Sequence, residues 1–79
     1  MTSITFTPQT VDEIKLISTA ALICESDVDA ISGRYMVDAK SLLGLLSMNY
    51  SKGVDIIFHE DNDRVLFENK YASLLGKKA

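Results

Sequence analysis

Within its first thirteen residues the chain changes its apolar period from that of a strand to that of a helix, and this switch narrows the folds open to it. Ile4 and Phe6 alternate with Thr5 and Thr7, as in a half-buried strand, and Pro8 removes a backbone donor where that strand should end. Thr10 followed three residues later by Glu13 reads as a capping box, which starts a helix over residues 11 to about 23. Val11, Ile14, Ile17 or Ser18, and Ala21 make its inner stripe, and Leu16, Ala20 and Ile23 widen the apolar face. Asp12 and Glu13 sit near the positive end of that helix.

The same change of period recurs downstream. Asp27-Val28-Asp29-Ala30-Ile31 and Arg34-Tyr35-Met36-Val37 flank Ser32-Gly33, a turn that joins two strands into a hairpin. From Ala39 to about Asn49 the pattern is helical, with Ser41 at the N-cap and Leu42, Leu43, Leu45, Leu46 and Met48 following. Four leucines on so short a helix cannot all point inward. Lys52-Gly53 stops it, and Val54, Ile56 and Phe58 alternate with Asp55, Ile57 and His59 as a fourth strand. Asp61-Asn62-Asp63 offers a cap for a last helix carrying Leu66 or Phe67, Tyr71, and Leu74 or Leu75, ahead of a basic Lys77-Lys78 tail.

The order is βαββαβα, an α+β arrangement in which a four-stranded antiparallel sheet carries three helices on one face. The expected core is Ile4, Phe6, Ile14, Ile17, Val28, Val37, Ile56, Phe58, Tyr71 and Leu74. Residues 1–79 form a single domain, because a chain this short cannot build two hydrophobic cores and leaves little room for a deep pocket. That favours a surface-acting protein over an enzyme. A formal charge of −3 with scattered Lys and Arg disfavours nucleic acid as a partner. Cys24 is the only cysteine, so no intramolecular disulfide and no cysteine-rich zinc site can form. The first residues have neither a basic start nor a long apolar run. The expectation is a cytoplasmic protein with no membrane insertion, no cofactor and no metal.

Val37-Asp38-Ala39-Lys40-Ser41-Leu42-Leu43-Gly44-Leu45-Leu46-Ser47-Met48, followed by Lys52-Gly53-Val54-Asp55-Ile56-Ile57, resembles the second half of HPr, the histidine-containing phosphocarrier family. The order of elements also fits that family's open-faced β-sandwich. The resemblance implies a bacterial protein related to the phosphoenolpyruvate-dependent sugar phosphotransferase system. The departure falls on the chemistry. HPr proteins carry a Gly-x-His-x-Arg-Pro-like segment at the start of the first helix, where a histidine takes up phosphate. Here that stretch is Pro8-Gln9-Thr10-Val11-Asp12-Glu13, with no histidine or arginine, and its two carboxylates oppose a phosphoryl group.

Ser41 matches the serine that a dedicated kinase phosphorylates in some HPr proteins, whose product then docks a transcriptional regulator. Ser41 is equally an ordinary N-cap, and the motif does not separate the two. The resemblance implies partner binding by Lys40, Leu42, Leu43 and Leu46, with an HPr-type serine kinase or a transcriptional regulator as the partner; core packing competes for the leucines. The leading expectation is therefore a non-catalytic regulatory module. A divergent phosphocarrier using another residue and a small structural or oligomer-forming domain remain as alternatives.

The other polar candidates read as structural. His59 is expected as a solvated strand residue and Cys24 as a small buried one. Asp27, Asp29, Glu60, Asp61 and Asp63 lack calcium-loop spacing and read as caps and turn residues. Residues 33–41 miss the glycine that a phosphate-binding loop places before Lys-Ser, since Ala39 stands there, which rules out nucleotide binding by that motif.

Overall fold

The computed structural model describes residues 1–78, and the side chains of Lys77 and Lys78, the expected basic tail, lie outside the described residues. The elements follow the expected order: β1 (Thr2–Phe6), α1 (Val11–Leu22), β2 (Val28–Ser32), β3 (Tyr35–Asp38), α2 (Leu42–Leu46), β4 (Val54–Phe58) and α3 (Asp61–Lys78). The strands form one antiparallel sheet in the order β1-β4-β2-β3, with the helices on one face, an open-faced sandwich. Each long connection runs over the helical face, so that β4, last in sequence, lies between β1 and β2.

Alternation along the strands separates the two faces. Register pairs Ile4 with Ile56, Phe6 with Val54, Val28 with Phe58 and Ala30 with Ile56, all directed toward the helices. The open face carries polar cross-strand contacts instead, with Thr5 Oγ1 donating to Asp55 Oδ1 at 2.6 Å and His59 Nε2 lying 2.9 Å from Asp29 Oδ2.

Five of the ten expected core residues are buried: Ile14, Ile17, Val28, Ile56 and Phe58. Ile4, Phe6, Val37 and Tyr71 are half-buried and pack against that cluster, and Leu74 is half-buried. The register of α3 is decided in favour of Phe67, whose fully buried ring meets Phe58 edge-on at 5.1 Å between centroids, Phe6 at 5.8 Å and Tyr71 at 5.9 Å. Ala20 and Ala21 are fully buried on α1, which packs against both α2 and α3.

Several local expectations shift. Val11, placed in the inner stripe by spacing, is exposed, as is Ile23. At 100° per residue the buried arc of α1 centres on Ile14, Ile17, Ser18 and Ala21, and Val11 projects at its margin in the first turn. The hairpin turn is Gly33-Arg34 rather than Ser32-Gly33, with Gly33 at φ 61° supplying the left-handed conformation that a two-residue turn requires. Ser32 thereby becomes a buried strand residue, its hydroxyl within 2.9 Å of the Asn49 carbonyl and 2.8 Å of the Gly53 carbonyl. The second helix is shorter than its apolar pattern suggests, ending at Leu46 with Ser47 as C-cap.

Asp63, read as a cap or turn residue, differs most. It lies within the first turn of α3, 2% exposed, and its carboxylate accepts the backbone N–H of Glu25 at 3.0 Å and of Ser26 at 2.9 Å. These two hydrogen bonds hold the carboxyl below the usual aspartate range, and the positive charge of Lys40 adds to the effect against the cost of burial. The side chain thus ties the α1–β2 loop to the start of α3.

Candidate functional site

The segment leading into α2 is fixed from both sides. Ala39 N donates to the Val28 carbonyl at 2.8 Å, continuing the contact of β3 with β2 by one residue. Asp38 Oδ1 accepts from Lys40 N at 2.9 Å, and the Asp38 carbonyl accepts from Ser41 N at 2.9 Å. This double hold turns the chain out of the strand and leaves Ser41 extended at φ −93°, ψ 108°, the geometry of an N-cap. Ser41 Oγ then accepts from Gly44 N at 3.1 Å, and the Ser41 carbonyl receives the first helical bond from Leu45 N at 3.0 Å. A side chain at Gly44 would crowd Val37 Cβ at 3.2 Å, so the glycine lets this short helix lie close to β3.

The four leucines divide by face. Leu45 is fully buried and Leu42 packs, half-buried, against the core. Leu43 is 82% exposed and Leu46 42%, and their spacing of three residues puts them on the same outer face. Ser41, the N-cap two residues before Leu43, is also exposed. At the other end, the Tyr50 hydroxyl donates to the Leu45 carbonyl and Ser47 Oγ donates to the Gly44 carbonyl at 2.7 Å, so α2 is closed by its own side chains. Burial raises the pKa of the Tyr50 phenol.

Of the residues named from sequence, Ser41, Leu43 and Leu46 are all exposed, while Leu42 is shared with the core. Lys40 faces elsewhere. Its ammonium donates to the Cys24 carbonyl at 3.0 Å, while its own carbonyl lies 3.3 Å from Ser18 Oγ, so Lys40 joins the end of α1 to the start of α2.

At the start of α1 the cap forms with its return bond shifted by one residue: Glu13 N donates to Thr10 Oγ1 at 3.2 Å, and the Glu13 carboxylate accepts from Gln9 N, just before the cap, at 2.7 Å. The Glu13 N–H of the first turn is thus engaged by the chain's own cap. Cys24 is buried just after α1, its thiol 3.4 Å from the Asp63 carbonyl. Burial and, second, the Asp63 charge push the thiol pKa up, with Lys40 opposing them. His59, just beyond β4, is exposed and paired with Asp29. Among the described residues no cluster of three or more His, Cys, Asp or Glu could hold a metal ion, and no helix is long and apolar enough to cross a membrane.

The role of Asp63 escaped sequence reasoning, since its backbone partners lie 37 and 38 residues away and no local pattern announces them. Comparisons with protein-family models, curated proteins and solved structures gave no match to this chain.

Proposed function

We propose that this protein is a non-catalytic, HPr-like partner-binding module related to the sugar phosphotransferase system, in which Ser41 is a regulatory phosphorylation site and the outer face of α2 is the docking surface. The observation that carries this reading is the exposed N-cap Ser41 two residues before Leu43, an 82% exposed leucine on a short helix whose Leu45 is fully buried. Isolated exposed apolar residues are common, but Leu43 and Leu46 share one face, and the exposed Ser41 caps the same helix.

Phosphorylation of Ser41 adds close to two negative charges beside the first turn of α2, where the Gly44 N–H already points at the side-chain oxygen. Negative charge there favours the helix, so the fold survives and the apolar patch gains an anionic edge. Lys40 is turned to the Cys24 carbonyl, which leaves the new charge for an arginine supplied by the partner.

The test is an HPr-type serine kinase assay on intact protein, read by mass spectrometry. Phosphate on Ser41, absent in Ser41→Ala, is the expected result. No modification of Ser41 while an authentic HPr control is phosphorylated overturns the regulatory reading. Incubation with enzyme I and labelled phosphoenolpyruvate tests the other half: a stable phosphoryl adduct overturns the assignment as non-catalytic.

A further inference from the structure

β3 is an edge strand, bonded to β2 on one side only. Edge strands are commonly blunted by lysine, proline or a bulge, because an open ladder recruits another strand. Tyr35-Met36-Val37-Asp38 contains neither lysine nor proline, and its register with β2 runs unbroken from Ser32↔Tyr35 to Asp29↔Asp38. Tyr35 is 71% exposed and Met36 65%. The pair flanking a two-residue turn exchanges both ladder bonds, so Tyr35 and Val37 bond toward β2 while the N–H and C=O of Met36 point away from the sheet.

The side chains along this edge complement themselves. Arg34 and Asp38 lie two residues to either side of Met36 and carry opposite charges. A two-fold axis through Met36 would place each Arg34, the last residue of the hairpin turn, opposite the other copy's Asp38. The same axis sets Tyr35 opposite Val37 of the second copy. Val37 lines a hollow of about 260 Å³ together with Tyr35, Ser47, Met48 and Asn49, into which an incoming phenol ring can lie.

We infer that the outer edge of β3 is a homodimer interface, at which a second copy adds its β3 antiparallel in the register Met36 to Met36, with reciprocal Arg34–Asp38 pairs and each Tyr35 seated in the other copy's hollow. The result is one eight-stranded sheet, closed by a two-fold axis so that assembly stops at two chains. The other free edge, β1, consists of Thr2-Ser3-Ile4-Thr5-Phe6, with no charged residue to select an antiparallel register with itself.

The interface is small, so the dimer belongs in the weak class and is sought by sedimentation equilibrium from roughly 10 μM to 1 mM. A concentration-dependent doubling of mass is expected, with the Met36 amide protected from exchange in the dimer. Met36→Pro removes a donor that does not serve the β2–β3 ladder, and it should abolish dimerisation while circular dichroism remains native. Arg34→Glu and Asp38→Lys should each weaken self-association by about tenfold or more, yet a mixture of the two should dimerise, because each restores the other's missing charge. This mixing experiment decides the matter even if Met36→Pro fails to fold. A wild-type protein that stays monomeric throughout the range overturns the inference. So does a dimer indifferent to both charge reversals, or one that protects β1 amides in place of Met36.

Discussion

Replacing Phe67 tests the account of the core most directly, because this one side chain joins α3 to the sheet. Its ring is fully buried and meets Phe58, Phe6 and Tyr71 with centroids 5.1, 5.8 and 5.9 Å away, the first two edge-on. Truncation to alanine removes the transfer energy of a buried phenyl ring and leaves a cavity between β1, β4 and α3, a combination that costs about 3–5 kcal/mol. At 0.05–0.15 kcal/mol per residue the whole domain is stable by only about 4–12 kcal/mol. Phe67→Ala should therefore lose between about a quarter and all of the domain's stability. Phe67→Leu keeps most of the volume but loses the edge-on ring contacts, for about 1–2 kcal/mol. At about 4–8 °C of Tm per kcal/mol for a domain of this size, it should melt about 5–15 °C below wild type. Urea unfolding followed by far-ultraviolet circular dichroism measures both, with Val65→Ala, an exposed position on the same helix, as the control expected to stay within about 0.5 kcal/mol. If Phe67→Ala costs less than about 1 kcal/mol, the ring does not anchor α3 and the packing described above is wrong.

Ser41→Ala removes the acceptor for Gly44 N and should cost about 1 kcal/mol in urea unfolding while the circular dichroism spectrum is retained. Leu43→Gln, at an outward position, should change stability by less than about 0.5 kcal/mol yet abolish capture of the partner by Ser41-phosphorylated protein in a pull-down. The Asp63 carboxyl is held below its unfolded pKa near 3.8, so the stability it contributes is present above that pH and is lost as pH falls through the lower folded value. Melting scans across this acid range should show a steeper fall in Tm for wild type than for Asp63→Asn, which starts lower at neutral pH; parallel curves would contradict the assignment. Cys24, buried and with a raised pKa, should react with a thiol-specific disulfide reagent only at the rate at which the protein opens, and should react at once in denaturant.

Much of the fold was legible because its signals are local. The capping box at Thr10 and Glu13 acts across three residues, Ser41 reaches only as far as Gly44, and the alternation Val54, Ile56, Phe58 reports a strand with one face covered. Those patterns determined the order βαββαβα and pointed to Leu43 or its neighbours as surface residues, since four leucines exceed what one side of a short helix can bury. What they did not determine was which leucine stayed out, which of Leu66 and Phe67 turned inward, or where the hairpin turned. Each of these depends on what the rest of the chain places opposite: Val37 against Gly44, Phe58 and Phe6 around Phe67, the Asn49 and Gly53 carbonyls over Ser32. Asp63 is the clearest case. An acidic residue in a first helical turn looks like any other dipole partner, and only when α3 packs against the end of α1 do the N–H groups of Glu25 and Ser26 come within reach of its carboxylate. Lys40 follows the same logic, adjacent to Ser41 in sequence yet drawn to the Cys24 carbonyl by the packing of α1 on α2. Sequence thus set the local conformations, because their energies lie within a few residues. The tertiary structure chose the partners of buried polar groups, because an unpaired donor or acceptor in the interior costs enough that the packed chain must bring one from wherever it lies.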